Sequence, residues 1–485
     1  MTETSVSDET APSLAPPGII DRLRPRLKLA GGILASLGAV GAVVGGLAGY
    51  LNAWKTIEGA FRDGKTSGGT VKPAASVSKG PTVAVLPFAN ETGEAAQDAF
   101  AVGLARETIA ALDKFSVLRV LAFAATAAYA GKRAEPGDVA RQAGADYVVD
   151  GDLRKNGVGL RISYRLIDAR TGVQVWSRVF DAAAEAGNSA AAQVEIAGRA
   201  SAFLGSFYSG VAAAEYKRIL ATPIDQLSPY DCIVQGIAIT SPQNYIRART
   251  CLETLVVREP SNATAFSVLS NVYAHQRWFG HGLPAEEAAS VDKRAYLIPK
   301  VIENASRAVE LAPADAFAHK ALAQAYWTSC QRDRIFIESQ QAMELNPNDP
   351  QLVGAAGIYR SFTGDWDGGA PLVQKAMAMV APAPGSRLWG WVIARRHWAR
   401  GEYEQAYAAF LKFYIEQDWI SHLDMAYALP SVGRIEEAKA EVATLQRMRP
   451  GFTIRDADAY YRMWCLDASY REKMTGALRK AGLPE

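Results

Sequence analysis

Histidine and cysteine are scarce in this chain: five of the one and four of the other in 485 residues. His275, His281, His319, His397 and His422 include no pair at i, i+4, and none neighbours a cysteine, so the spacing that zinc needs is missing. No G-x-S-x-G nucleophile elbow occurs. These absences lead to the expectation of no metal, no cofactor and no catalytic residue, and so of a protein that is not an enzyme. Charge of one sign is also missing as an excess. Lys and Arg number 52 against 50 Asp and Glu, and a net charge of +2 predicts no special affinity for nucleic acid.

Charge is absent altogether from residues 29–54. Before them, residues 1–28 form a polar, Pro-containing tail, read as disordered, that ends in Arg22, Arg24, Arg26 and Lys28. A helix needs ~20 apolar residues to cross a hydrocarbon core of ~30 Å, and this run supplies them. Tyr50 and Trp54 sit at its far end, where amphipathic rings favour the interface. The expectation is a single transmembrane helix in a bacterial inner membrane, with a cytoplasmic N-terminus and the bulk of the chain in the periplasm. A cleavable signal peptide and a Gly/Ala-rich core helix are the competing readings; the run is long for the first and shows no amphipathic face for the second. Gly41, Gly45 and Gly49 lie on one face of that helix, where small residues let two helices approach, so a homodimer is one expected partner arrangement.

Residues 55–81 read as a flexible linker. Gly59, Gly64, Lys65 and Thr66 within it satisfy G-x-x-x-x-G-K-[ST]. A phosphate-binding loop needs a buried strand before it and a helix after it. Here an interfacial helix end precedes and a Gly/Ser/Pro stretch follows, so nucleotide binding is not expected.

Residues 82–185 alternate strand-type and helix-type segments. Thr82 to Phe88 is a short apolar strand, residues 95–113 show helical spacing, and Phe115 to Leu121 reads as a strand. Gly137 to Ala143 reads as a short helix. Asp146 to Leu153 and Leu160 to Ile167 are strands joined across Asn156-Gly157, and Val173 to Phe180 is a third. A small α/β domain closed by a three-strand meander follows. The stretches VAVLPFANETGEAAQDAFAVGLARETIAAL and GADYVVDGDLRKNGVGLRISYRLIDARTGVQVWSRVFD, together spanning roughly residues 82–181, resemble the TolB-like N-terminal domain. In bacteria that domain is commonly fused to tetratricopeptide repeats.

Residues 186–225 are Ala-rich and read as one connector helix, and residues 226–455 as helix pairs. Pro313, Pro347, Pro382 and Pro450 fall at intervals of 34, 35 and 68, and Ala-x-x-Leu-x-Pro endings at a 34-residue period are the tetratricopeptide signature. About six pairs are counted, with residues 279–298 as an insertion and residues 456–485 as capping helices. A pair alone leaves its apolar face bare, so the pairs stack into a curved solenoid. The fold class is thus multidomain: one transmembrane helix, a small TolB-like α/β domain, and an all-α tetratricopeptide-repeat solenoid.

The first helices of such pairs line the concave surface. Ser267, Asn271, Lys320, Gln324, Trp327, Arg395 and Trp398 are the candidates for contact with a protein or peptide partner there, with a solvated inner face as the plainer reading. Cys232 and Cys251 lie equally far from the turn at Ser241-Pro242, which makes them neighbours in an antiparallel pair. They are a candidate disulfide or, alternatively, two small core residues. Cys330 and Cys465 are expected free and buried.

The expected function is that of a membrane-anchored scaffold or sensor, without catalysis, whose solenoid binds a protein or peptide. The resemblance implies a second reading, the sensory half of an adenylyl cyclase-like or transcription-regulator system. Only 28 residues precede the span, too few for an effector domain with a core of its own. A cell-envelope assembly role is implied by the family name alone.

Overall fold

The computed structural model describes residues 80–130, 135–183, 189–206, 210–237, 242–380 and 387–485. The chain divides into two compact units, Met1–Lys72 and Pro73–Glu485. The tail, the apolar run, Gly41, Gly45, Gly49 and the G-x-x-x-x-G-K-T match all lie outside the described residues. Among the described residues, no helix is long and apolar enough to cross a membrane.

The α/β domain is built on one sheet ordered β3-β1-β4-β5-β6, with β2 pairing on β4. β1 (Thr82–Val85) runs parallel to β3 (Arg119–Val120) and to β4 (Tyr147–Asn156). β2 is Ala89–Asn90. β4, β5 (Gly159–Asp168) and β6 (Gln174–Ala182) form the expected antiparallel meander. Gly157, at φ 60°, makes the hairpin turn, a left-handed conformation that glycine adopts without a Cβ clash. Helices α1 (Asp98–Leu112) and α3 (Ala190–Leu204) cover one face, burying Leu104, Leu112, Ile196 and Leu204 against Tyr164, Leu166 and Phe180. Helix α2 (Pro136–Ala143) closes a smaller core on the other face, around Ala84, Leu86, Val139 and Val148.

Two segments depart from the sequence reading. The strand expected over Phe115 to Leu121 shrinks to Arg119–Val120, because residues 115–118 form a turn in which the Leu118 N–H donates to the Phe115 carbonyl at 3.0 Å, with Val117 and Leu118 both buried. Phe115 packs where a Cβ on Gly205 would strike its ring. The single connector helix of residues 186–225 is two helices, α3 and α4 (Gly210–Ala221), and α3 belongs to the α/β core. Gly210, at φ 56°, breaks the run.

Among the described residues, six antiparallel helix pairs follow. They are α5 (Pro229–Ile237) with α6 (Pro242–Arg258), α7 (Ala263–Phe279) with α8 (Leu297–Leu311), and α9 (Ala316–Thr328) with α10 (Arg332–Leu345). Then come α11 (Pro350–Phe362) with α12 (Trp366–Val380), α13 (Arg387–Ala399) with α14 (Tyr403–Lys412), and α15 (Trp419–Ala428) with α16 (Ile435–Met448). A short helix at Ala285–Ala289 lies in the insertion between α7 and α8. Asn262, Asp315, Asp349 and Asp418 cap the first helices of four pairs, each side-chain oxygen accepting a backbone N–H of the first turn. Within a pair the backbones come close: a Cβ on Gly369 would lie 2.4 Å from the carbonyl oxygen of Gly357.

The α/β domain and the solenoid share one core, and polar contacts join them. The buried Glu215 on α4 accepts hydrogen bonds from Tyr147 of β4 (2.6 Å), from Arg170 (2.9 Å) and from Arg218 (2.8 Å). Arg218 in turn reaches Asp231 on α5 at 2.6 Å. Farther along, Asn346 donates to the Lys114 carbonyl at 3.3 Å.

Candidate functional site: the inner face of the helix stack

An amphipathic helix in a solenoid buries one stripe and leaves the other wet. The first helices of these pairs do not behave so. Every residue from Ile420 to Ala428 on α15 is buried, and α7, α9 and α11 are buried almost all round. Their second faces are covered by the chain's own C-terminal pair, α17 (Ile454–Met463) and α18 (Ala468–Lys480).

Aromatic rings make most of this contact. Trp464 stacks on Trp278 with ring centroids 4.9 Å apart and lies 5.3 Å from Trp327. The indole N–H of Trp327 donates to the backbone carbonyl of Trp464 at 2.9 Å. Tyr470 lies 4.9 Å from Trp398 and 5.2 Å from Trp366, and shares a 3.1 Å hydrogen bond with Tyr427. At the centre is a buried ion pair. The guanidinium of Arg395 donates to Asp424 at 2.8 Å, and Tyr461 donates to the same carboxylate at 2.5 Å. Both charged side chains are only 2% exposed. Burial alone would lower the guanidinium, but Asp424 and the surrounding tyrosines hold it well above its ordinary value.

Six of the seven candidate contact residues are buried and so not open to a partner, while Lys320 is half-buried. Ser267 is buried and donates to the Ala263 carbonyl. Asn271 accepts from Gln324 at 2.9 Å across neighbouring helices. Trp327, Arg395 and Trp398 are covered by Trp464, Tyr461 and Tyr470. Lys320 is half-buried with its ammonium over the Phe317 ring; burial lowers it to about 8, against the pull of Asp349. For Trp327, Arg395 and Trp398 the physical reason for this correction is that the last helix pair folds back across the stack. A reading pair by pair does not anticipate contacts between residues as far apart as Arg277 and Met463.

The histidines serve packing. His319 makes contacts of 2.6 Å to Glu338 and 2.9 Å to the Pro313 carbonyl; His422 makes 2.5 Å to Glu441 and 2.9 Å to the Glu416 carbonyl. In both, the glutamate is 19 residues from the histidine and the carbonyl six, so one device joins the two helices of two different pairs. His275 shares a 3.1 Å hydrogen bond with Tyr245, and burial pushes it down to about 3. Among the described residues, no cluster of three or more His, Cys, Asp or Glu is placed to hold a metal ion.

Cys232 on α5 and Cys251 on α6 form a disulfide, both half-cystines buried. Cys330 and Cys465, expected free and buried, form a second disulfide instead. Their Cα atoms are 5.5 Å apart despite a sequence separation of 135, because the turn after α9 and the turn after α17 meet when the C-terminal pair folds back. Cys330 is exposed and Cys465 half-buried.

The family model of the HilA/YgeH-like transcriptional regulator, second domain, matches residues 78–198. A putative adenylate cyclase 3 of Rhizobium meliloti (strain 1021) is 36% identical over 110 residues, which cover 23% of this chain and 19% of that protein. The chain thus spans about a fifth of the length of that relative. Solved structures are similar at lower identity. A thermophilic TPR protein of Thermus thermophilus is 15% identical, with 44% of this chain and 97% of that one covered and a TM-score of 0.30. PilF of Pseudomonas aeruginosa is 14% identical, with 48% and 93% covered and a TM-score of 0.33. The human IFIT1 dimer with m7Gppp-AAAA is 17% identical, with 56% and 62% covered and a TM-score of 0.40. The tetratricopeptide-like solenoid rests on the helix pairs themselves rather than on these scores.

Proposed function

We propose that the protein is a membrane-anchored, periplasmic scaffold that binds a protein or peptide partner through its solenoid and carries out no catalysis. The observation that supports this most is the inner face itself. It already receives a helix pair, by aromatic packing and by capture of a backbone carbonyl by Trp327. A stacked-pair surface with that chemistry takes up helical segments, and a partner's segment would use the faces that the chain's own C-terminal pair leaves open. The anchor rests on the uncharged run of residues 29–54 behind an arginine-rich tail. The test is affinity capture from detergent extracts with the full chain and with a chain lacking residues 226–455. Partners that bind only the full chain are expected; identical partner sets would count against the reading.

A second reading is the sensory half of a signalling system. It is supported by the match of residues 78–198 to a domain of transcriptional regulators and by the likeness to a putative adenylate cyclase. Neither reading makes the chain itself a cyclase, and cyclic AMP formation by the purified chain tests that shared premise. Turnover above background would overturn the non-catalytic reading.

A further inference from the structure

Five turns between antiparallel helices share one geometry. They centre on Cys330, Gly364, Gly401, Gly433 and Cys465, whose φ values are 56°, 103°, 77°, 78° and 57°. In each, the next residue donates its backbone N–H to a carbonyl five residues back: Gln331 to Tyr326, Asp365 to Arg360, Glu402 to His397, Arg434 to Leu429 and Leu466 to Tyr461, all at 2.9–3.1 Å. This is the helix-ending motif in which a left-handed residue satisfies orphan carbonyls, and glycine is its usual occupant. Three of the five turns have glycine. The other two have Cys330 and Cys465, and among the described residues these are the only non-glycine residues with positive φ. A Cβ in that conformation is disfavoured, so two such positions filled by cysteine, and bonded to each other, point to a role for the bond itself.

The two disulfides differ in access. Cys232 and Cys251 are both buried, at the floor of a cleft of about 270 Å³ that Thr250 and Arg258 also line. Cys330 is exposed at an open cleft of about 250 Å³ that Arg277, Arg462 and Met463 also line. The cleft holds two guanidinium groups against the one carboxylate of Asp292, with Arg462 also paired to Asp458. Strained and exposed disulfides are the labile ones.

We propose that Cys330–Cys465 is a redox modification site whose co-substrate is a dithiol, and that its opening loosens the C-terminal pair on the inner face. A thiolate of the dithiol attacks Cys330 Sγ, the S–S bond breaks, and Cys465 leaves as thiolate. The second thiol of the reagent then attacks the mixed disulfide and releases Cys330. Two electrons pass from the dithiol, which becomes a disulfide, and its two protons end on the two cysteines. Apolar contacts of Trp464, Tyr461 and Tyr470 still hold the pair, so reduction raises its mobility rather than expelling it. The inference does not depend on the proposed partner or anchor.

The test is a titration of the full native chain with dithiothreitol, followed by alkylation and peptide mapping. Cys330 and Cys465 are expected to be labelled at a reagent concentration about tenfold below that which opens Cys232–Cys251. Amide exchange across residues 454–485 is expected to rise by about tenfold at the same point. Simultaneous opening of both bonds, or earlier opening of Cys232–Cys251, overturns the proposal. So does unchanged exchange after selective reduction. The double variant Cys330→Gly/Cys465→Gly restores glycine to both turns without the bond. It is expected to show the raised exchange without reductant and no further response to it; a continued response to dithiothreitol also overturns the proposal.

Discussion

Trp327 on α9 and Trp464 at the end of α17 are joined by a 2.9 Å hydrogen bond from indole N–H to backbone carbonyl, across a sequence separation of 137. The bond fixes the C-terminal pair against the second and third helix pairs at once, since Trp464 also stacks on Trp278. Truncating this anchor removes a large apolar side chain from a packed site. Trp464→Ala is expected to lower unfolding stability by about 3–5 kcal/mol. Trp327→Phe keeps most of the packing and loses the donor, at a cost of about 1–2 kcal/mol. Urea unfolding of both and of the double variant checks this, with the two effects expected to be non-additive because the residues touch.

The buried pair Arg395–Asp424 gives a test of the opposite kind. Asp424→Ala leaves a guanidinium without its counter-charge and is expected to destabilise by about 3–5 kcal/mol. Replacing both, as Arg395→Met/Asp424→Leu, removes the stranded charge and is expected to recover much of that loss. Equal loss in the single and double variants would show that the pair is not acting as a unit.

Acid sensitivity follows from His275. Burial, with Lys320 and His281 nearby, lowers its imidazole from 6.5 to about 3. Between those values the unfolded chain binds a proton that the folded chain refuses. The contribution of neutral His275 is therefore full above pH 6.5 and falls by about 1.4 kcal/mol for each unit below it, down to about 3. Asp349, raised by burial to about 6, works in the opposite sense, so the comparison has to be made against a variant. His275→Asn, studied by urea unfolding from neutral pH downward, is expected to lose less stability on acidification than the parent chain.

The glycine turns offer a control for the cysteine turns. A Cβ on Gly433 would meet nothing within 4 Å, so only its φ of 78° opposes a side chain. Gly433→Ala is expected to cost about 1–2 kcal/mol by thermal or urea unfolding. A cost near zero would remove the argument that Cys330 and Cys465 occupy unfavourable backbone.

Much of this fold is legible in the sequence because it is local. The proline intervals at 313, 347, 382 and 450 mark helix pairs, and Asn156-Gly157 marks the hairpin where β4 turns into β5. The candidate contact residues fall on the helices that line the inner face for the same reason. What the residues do there is not local. Trp327, Arg395 and Trp398 are covered by a segment that begins at Ile454, and a periodic pattern says nothing about which distant segment returns. The equal-distance argument finds neighbours only within one antiparallel pair, so it reaches Cys232 and Cys251 and not Cys330 and Cys465. A usable signal was present all the same. Aligning the turns puts cysteine at 330 and 465 where glycine stands at 364, 401 and 433.

The second disulfide also changes what kind of thread the polypeptide is. Bridging Cys330 to Cys465 makes a covalent ring of the repeats between them. A processive unfoldase that draws the chain in as far as that ring has to admit two strands abreast. The oxidised protein carries its own roadblock to such degradation, and a reductant lifts it without altering a single residue.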